Sequence, residues 1–191
     1  FAGVMSLEDG LRLVAERARL LQLLPDEGCM AAISASREKV AAALASYDPA
    51  FIAIAAVNGP ASVTVSGRRE LVATLSASFV SNGFDVKQLR VARSGHSALV
   101  DPILAPLERV LRTVNFAAPQ IPLVSNVTGA MWPWDRAPDA EYWLRHTREP
   151  VLFADGIATL ADLGYRTYLE IGPGTDMLGM ALANLPSDED V

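Results

Sequence analysis

The sequence has 191 residues, of which 51% are apolar and 20% charged, and a formal net charge of −6. These proportions are typical of a soluble globular domain and exclude a disordered or fibrous chain. No basic stripe runs along the sequence, so we expect no nucleic-acid partner. The longest apolar run, Phe51 to Val57, is too short to span a bilayer, so we expect a cytoplasmic protein with no membrane partner.

Cys29 is the only cysteine, which rules out an internal disulfide and gives no indication of secretion. No group of His, Cys, Asp and Glu has the spacing of metal ligands, so we expect no metal. The first residues, Phe1 to Gly3, contain neither an initiator Met nor a signal peptide. We therefore interpret the sequence as part of a longer polypeptide.

Ser6 to Leu24 is predicted to be a helix, because Ser6 and Asp9 resemble a capping box and Pro25 and Gly28 follow the last apolar residue. One apolar stripe of this helix consists of Leu7, Leu11, Val14, Ala18 and Leu21.

The next segment, residues 29–91, has the element order βαββαβ, which predicts a ferredoxin-like small subdomain. Its middle strands are expected to form a hairpin that turns at Asn58-Gly59-Pro60. The predicted elements are strands at Met30–Ser34, Phe51–Val57, Ser62–Ser66 and Phe84–Val91 and helices at Glu38–Tyr47 and Arg69–Asn82.

Residues 1–28 and 92–191 are assigned to a larger α/β body into which the small subdomain is inserted. Alternating strands and helices after residue 92 predict a mostly parallel sheet. The elements are helices at Pro102–Thr113, Glu141–Arg148, Ala154–Leu163 and Met177–Leu185, strands at Ile121–Asn126 and Thr167–Ile171, and a loop at Ala130–Ala140.

Arg17 is the most informative charged residue, because it lies on the same helix face as Leu13, Leu20 and Leu24. A guanidinium on a leucine stripe needs a partner. The spacing alone favours a structural ion pair, or an Arg whose stem packs while its head reaches water. The alternative is a fork that binds a ligand carboxylate.

His96 follows a predicted strand and Gly95, at a junction where catalytic groups often lie, and its ordinary pKa range suits a general base. By itself a lone His is more often structural. His146 lies in a charged stretch, where we expect it to be exposed and without a role.

Gly172-Pro173-Gly174 lies between a predicted strand and a helix and suggests a nucleotide-binding turn. Met177 stands where the dinucleotide motif requires a third glycine, and no Walker lysine follows, so an ordinary tight turn is favoured.

Several stretches together resemble the malonyl transacylases and the acyltransferase domains of type I polyketide synthases, over nearly the whole chain and in the same order. They are residues 2–9 and 13–22, Asn58-Gly59-Pro60 with residues 62–67, Gly95-His96-Ser97, residues 101–104, 121–129 and 142–143, and residues 148–153 and 169–174.

This resemblance implies an α/β-hydrolase-like large subdomain with an inserted ferredoxin-like small subdomain. It implies that Arg17 holds the free carboxylate of a malonyl-type acyl group and that His96 is the general base. Asn58 is expected near the cleft between the subdomains.

The sequence departs from the family pattern in two places. No Gly-x-Ser-x-Gly nucleophile elbow is present, so we expect this chain to be inert without a segment that carries the serine. The four residues ending at His96 read Arg93-Ser94-Gly95-His96, unlike the His-Ala-Phe-His of malonyl-selective and the Tyr-Ala-Ser-His of methylmalonyl-selective relatives. Gly95 removes a side chain there, which would enlarge the acyl pocket.

The resemblance implies ping-pong acyl transfer from malonyl-CoA to the phosphopantetheine thiol of an acyl carrier protein. The intermediate is an acyl-serine on the missing segment, which in the family lies N-terminal to the stretch matched here. No permanently bound cofactor is expected, and neighbouring synthase domains are expected partners. The alternatives are a non-catalytic scaffold or carrier-protein docking remnant of such a domain, and a nucleotide-dependent α/β enzyme.

Overall fold

The computed structural model describes residues 2–91 and 93–185. The chain begins with helix α1, Leu7–Gln22. The Ser6 hydroxyl accepts a hydrogen bond of 3.0 Å from the Asp9 backbone N–H, which confirms the predicted cap. Leu13 and Leu20 are buried, whereas Leu7, Leu11 and Val14 are exposed by 80%, 64% and 67%. The stripe that packs is therefore the one that includes Arg17. In the other apolar stripe, Leu7, Leu11 and Val14 face outward and Leu21 packs against the core.

A five-stranded sheet follows, and every helix and strand predicted for this segment is present. The elements are β1 Gly28–Ile33, α2 Arg37–Leu44, β2 Ile52–Gly59, β3 Ser62–Arg68, α3 Arg69–Ser81 and β4 Val86–Gln88. The sheet order is β4-β1-β3-β2-β5, where β5 is the short strand Val151–Leu152, which lies in the sequence region following the small subdomain. Neighbours in the first four strands are antiparallel, and β5 runs parallel to β2.

The hairpin turn lies later than predicted. Gly59 pairs with Ser62, so Pro60 and Ala61 form the turn and Asn58 belongs to β2. Because a proline lacks a backbone N–H, it is compatible with the turn but not with the ladder. The prediction that Asn58 lies in the turn is therefore wrong.

Helices α2 and α3 cover one face of the sheet. The hydrophobic core between them includes Ile33, Val40, Ile52, Val65 and Leu75, all exposed by 2% or less. Alternate residues of β1 face this core, as the two-residue period of a strand requires.

The opposite face of the sheet meets the chain around His96. A 3₁₀ turn, Ala98–Val100, leads into helix α4, Asp101–Leu111, and the buried Ser66 and Ser97 hydroxyls form a hydrogen bond of 3.2 Å. Ser94 packs closely on β1. A Cβ added to Gly28 would lie 2.0 Å from the Oγ of Ser94 and 2.9 Å from the Cβ of Ser94. The sheet therefore fixes the position of the loop that carries His96.

We expect Gly28→Ala to destabilise the protein by about 1–3 kcal/mol, because the added methyl group overlaps Ser94. Chemical denaturation measures the change. Gly10→Ala is the matched control, since Gly10 lies inside α1 and its Cβ would meet only Met5 at ordinary contact distances. That variant is expected to gain about 0.5–1 kcal/mol, and equal effects of the two substitutions would contradict the packing argument.

A second core lies where α1 packs against α4 and helix α5, Ala140–Arg148. It includes Leu13, Leu20, Ile103, Leu107 and Leu111. The remaining helices are α6, Phe153–Asp162, and α7, Asp176–Leu182.

Two strands predicted for the large body are wrong. Ile121–Asn126 contributes only the isolated bridge between Val124 and Met131, and Thr167–Ile171 forms no strand. A strand needs a hydrogen-bonding neighbour, and none of the described strands pairs with Thr167–Ile171. Leu169 and Ile171 are exposed by 82% and 76%. Within residues 2–91 and 93–185, the mostly parallel sheet that we predicted is also absent. None of the described helices has the length and apolar character that crossing a membrane requires.

Candidate active site

The packing of α1 places Arg17 in a half-buried position between Leu13 and Leu20. Burial lowers the pKa of Arg17. Its Nε atom is buried and has no hydrogen-bond partner among the described residues, and none of their ion pairs includes it. The structural ion pair that the helix spacing favoured is therefore wrong. A guanidinium in this state is available for an anionic ligand.

His96 is held in an unusual backbone conformation, with φ of 55° in the left-handed region. Such a residue costs about 1–3 kcal/mol and persists only where its surroundings fix it. Here the Ser66–Ser97 hydrogen bond fixes the following residue, and the His96 Nδ1 lies 2.9 Å from the backbone oxygen of Glu149.

The contact with Glu149 determines which nitrogen of His96 is free. A carbonyl oxygen only accepts, so Nδ1 carries the hydrogen and donates it, and Nε2 keeps its lone pair. The pKa of His96 is lowered mainly by burial and further by the positive charge of Arg17, against an opposing effect of the Glu149 hydrogen bond. The neutral imidazole is therefore oriented as a base.

His146 lies in the same cluster, so the prediction that it is exposed is wrong. Its ring centroid is 6.3 Å from that of His96 and 5.6 Å from that of Trp143. Burial, followed by the charges of His96 and Arg17, lowers the pKa of His146 to about 4. A signal was present in the sequence: His146 follows Trp143 by three residues, which places both on one face of a helix.

The burial of neutral His146 makes stability depend on pH. In the unfolded chain this histidine takes up a proton near pH 6.5, but in the folded chain only near pH 4. At a pH between about 4 and 6.5, unfolding therefore takes up a proton, and the free energy of unfolding falls as the pH falls. We expect a slope of up to about 1.4 kcal/mol per pH unit from this residue. Urea denaturation between pH 4.5 and 7 measures it, and a His146→Gln variant with an unchanged slope would contradict the assignment.

Arg17, Trp143 and His146 line one cavity of about 220 Å³ between α1, α4 and α5. The indole N–H of Trp143 is buried and, like the Arg17 Nε, has no acceptor among the described residues. The other lining residues are Leu13, Val14, Leu107, Leu111 and Thr147. The cavity thus combines an apolar wall with hydrogen-bond donors that lack acceptors, which suits a small anionic group on an organic ligand.

Asn58 does not contact Arg17, His96 or His146 in any of its hydrogen bonds with the described residues. Its side-chain amide donates to the Thr64 hydroxyl at 3.2 Å, and its backbone carbonyl accepts from the side-chain amide of Asn184 at 2.6 Å. It lines a different cavity of about 480 Å³, between the β2–β3 hairpin and α7. Gly95 directly precedes His96, and a Cβ built there meets no described atom within 4 Å.

The glycine turn at residues 172–174 offers little to a nucleotide phosphate. It precedes α7, whose Leu178 backbone N–H donates to the Glu170 carboxylate at 3.0 Å. A carboxylate at this end of the helix occupies a donor that a phosphate would need and repels its charge. Among the described residues, no group of three or more His, Cys, Asp and Glu is placed to hold a metal ion.

Comparison with known proteins identifies the fold and the family. The family described as acyl transferase domain matches residues 1–190. The chain is 43% identical over 173 residues to the polyketide synthase GfsA of Streptomyces halstedii. The matched stretch covers 91% of this chain and 2% of that protein.

Two solved structures superpose on nearly the whole chain. The acyltransferase domain from the second module of the salinomycin polyketide synthase has a TM-score of 0.91 and 39% identity, over 98% of this chain and 44% of that one. The acyl transferase domain of SpnD in complex with 2-(pent-4-yn-1-yl)malonyl has a TM-score of 0.89 and 36% identity, with the same coverage. The chain thus spans less than half of each of these two solved chains. From the family match, the identities and the shared fold, we conclude that this chain belongs to the acyl transferase domain family, among its polyketide synthase members.

Proposed function

We propose that this chain is part of an acyltransferase that moves a malonyl-type extender unit from coenzyme A to the phosphopantetheine thiol of an acyl carrier protein. The observation that carries the proposal is that two groups lie in one cluster. Arg17 has no carboxylate partner among the described residues, and a neutral His96 is anchored to the Glu149 carbonyl. The SpnD domain, which is similar to this chain, was solved with a substituted malonyl group.

Arg17 holds the free carboxylate of the acyl group in this proposal. The Arg17 fork meets the two carboxylate oxygens, and such a charge-assisted bond contributes about 1.5–3 kcal/mol. An acetyl group leaves the guanidinium unpaired, so discrimination against acetyl-CoA reaches about 10⁴-fold.

His96 is the general base at its free Nε2. It takes the proton of a serine hydroxyl as that oxygen attacks the thioester carbonyl, and it returns a proton to the leaving thiol of coenzyme A. The same nitrogen then takes the proton of the carrier-protein thiol, which attacks the acyl-serine. No step needs a permanently bound cofactor.

The serine belongs to another segment of the domain, because no Gly-x-Ser-x-Gly occurs in this sequence. The outward stripe of α1, formed by Leu7, Leu11 and Val14, supports this arrangement, as does the exposed segment with Leu169 and Ile171. Large apolar side chains exposed in rows mark a surface that another element covers. We propose that the serine segment packs there, completes an α/β-hydrolase-like large subdomain, and leaves residues 29–91 as the ferredoxin-like small subdomain.

Asn58 and Gly95 have lesser parts in this proposal. Gly95 leaves open space beside His96, which gives room for an acyl group with a substituent. Asn58 lines the cavity beside the β2–β3 hairpin, near the cleft between the proposed subdomains.

Transfer of radiolabelled malonyl groups from malonyl-CoA to a holo-carrier protein tests the proposal, with the synthase protein that contains this chain as the enzyme. Labelled carrier protein is the expected result. A folded protein that transfers no acyl group from malonyl-, methylmalonyl- or acetyl-CoA would instead support the alternative, a non-catalytic scaffold.

A further inference from the structure

His146 is a half-buried titratable residue to which the acyl-transfer mechanism gives no role. It lies on α5, faces the His96 ring and lines the cavity that also contains Arg17. None of the side-chain hydrogen bonds or ion pairs of the described residues uses its ring nitrogens. These nitrogens are therefore left to a ligand or to solvent.

The surroundings of His146 fix the form of its imidazole. Burial, Arg17 on α1 and His96 in the loop before the 3₁₀ turn all disfavour a positive charge on the ring. The ring centroids of Tyr142 and Trp143 lie 6.1 and 5.6 Å from that of His146. It stays neutral, so it has one N–H donor and one acceptor nitrogen. An N–H donor beside Arg17, which has no ion-pair partner in the described part of the chain, suits a carboxylate with its about four acceptor positions on two oxygens.

We propose that His146 determines specificity together with Arg17, by donating a hydrogen bond from its neutral ring to the acyl carboxylate. The proposal rests on the proposed function and adds a second protein donor to the carboxylate site. Arg17 supplies the charge, and His146 selects the orientation in which the carboxylate lies within the cavity.

The test is the ratio of kcat/KM for malonyl-CoA to kcat/KM for acetyl-CoA, measured with the synthase protein that contains this chain. His146→Leu removes the donor at similar volume, whereas His146→Asn keeps an N–H donor. We expect His146→Leu to raise KM for malonyl-CoA and lower the ratio about tenfold, as for the loss of one hydrogen bond of roughly 1.4 kcal/mol. The Asn variant should recover most of the ratio.

Leu144→Ala is the control for a purely structural role, because Leu144 packs on the second core and does not line the cavity. It should lower the melting temperature without changing the ratio. If His146→Leu lowers kcat/KM for both substrates equally, or if His146→Asn fails in the same way as His146→Leu, the inference is wrong while the proposed function stands. A wild-type protein without any acyl transfer would overturn the proposed function itself.

Discussion

Arg17→Ala is expected to abolish selective malonyl loading. The guanidinium is half-buried and forms no ion pair with a carboxylate of the residues that the structure describes, so its removal takes away the charge that offsets burial of the acyl carboxylate. We expect kcat/KM for malonyl-CoA to fall about 10⁴-fold while kcat/KM for acetyl-CoA changes little or rises. Steady-state kinetics with both thioesters measures the two effects.

The Arg17→Lys variant separates the effect of the positive charge from that of the guanidinium geometry. Lysine keeps the positive charge but loses the planar fork that meets both carboxylate oxygens, so its malonyl activity should lie between those of the wild type and Arg17→Ala. Unchanged selectivity in the Ala variant would show that Arg17 is structural.

His96→Gln is expected to lower acyl transfer by about 10²–10⁴-fold with every acyl-CoA, because the base acts on the serine and thiol protons and not on the acyl carboxylate. Glutamine has a similar size and keeps a donor for the Glu149 carbonyl. The fold should therefore survive, and circular dichroism checks this.

The pH dependence of the wild type gives a second measure of the same residue. Burial lowers the pKa of His96, so the base is still neutral below pH 6.5, where an ordinary histidine takes up a proton. The rate should therefore decline only at pH values below 6.5. A rate that halves at or above pH 6.5, or a His96→Gln variant with full activity, would remove His96 from the mechanism.

The local elements of this chain could be predicted from sequence, because their signals lie within a few residues of one another. The Ser6 cap, the βαββαβ order and the stripe of Leu13, Arg17 and Leu20 are such signals. The roles proposed for Arg17 and His96 depend on the resemblance to a family, since spacing alone favoured structural roles for both.

The errors concern contacts between residues that are distant in sequence. Thr167–Ile171 has the composition of a strand, but composition does not show whether a neighbouring strand is present to accept its hydrogen bonds. His146 looked exposed because Arg145 and Arg148 flank it, yet the rotation of α5 turns it toward Arg17 and His96. The ion pair expected for Arg17 failed because no acidic side chain of the described residues reaches it.

Intact mass spectrometry of the synthase protein after incubation with malonyl-CoA tests the central claim most directly. We expect a malonyl adduct on a serine in the wild type and in a Glu141→Gln control on the exposed side of α5, and no such adduct in Arg17→Ala. A wild-type protein without an adduct, or an Arg17→Ala variant that loads malonyl as fully as the wild type, would contradict it.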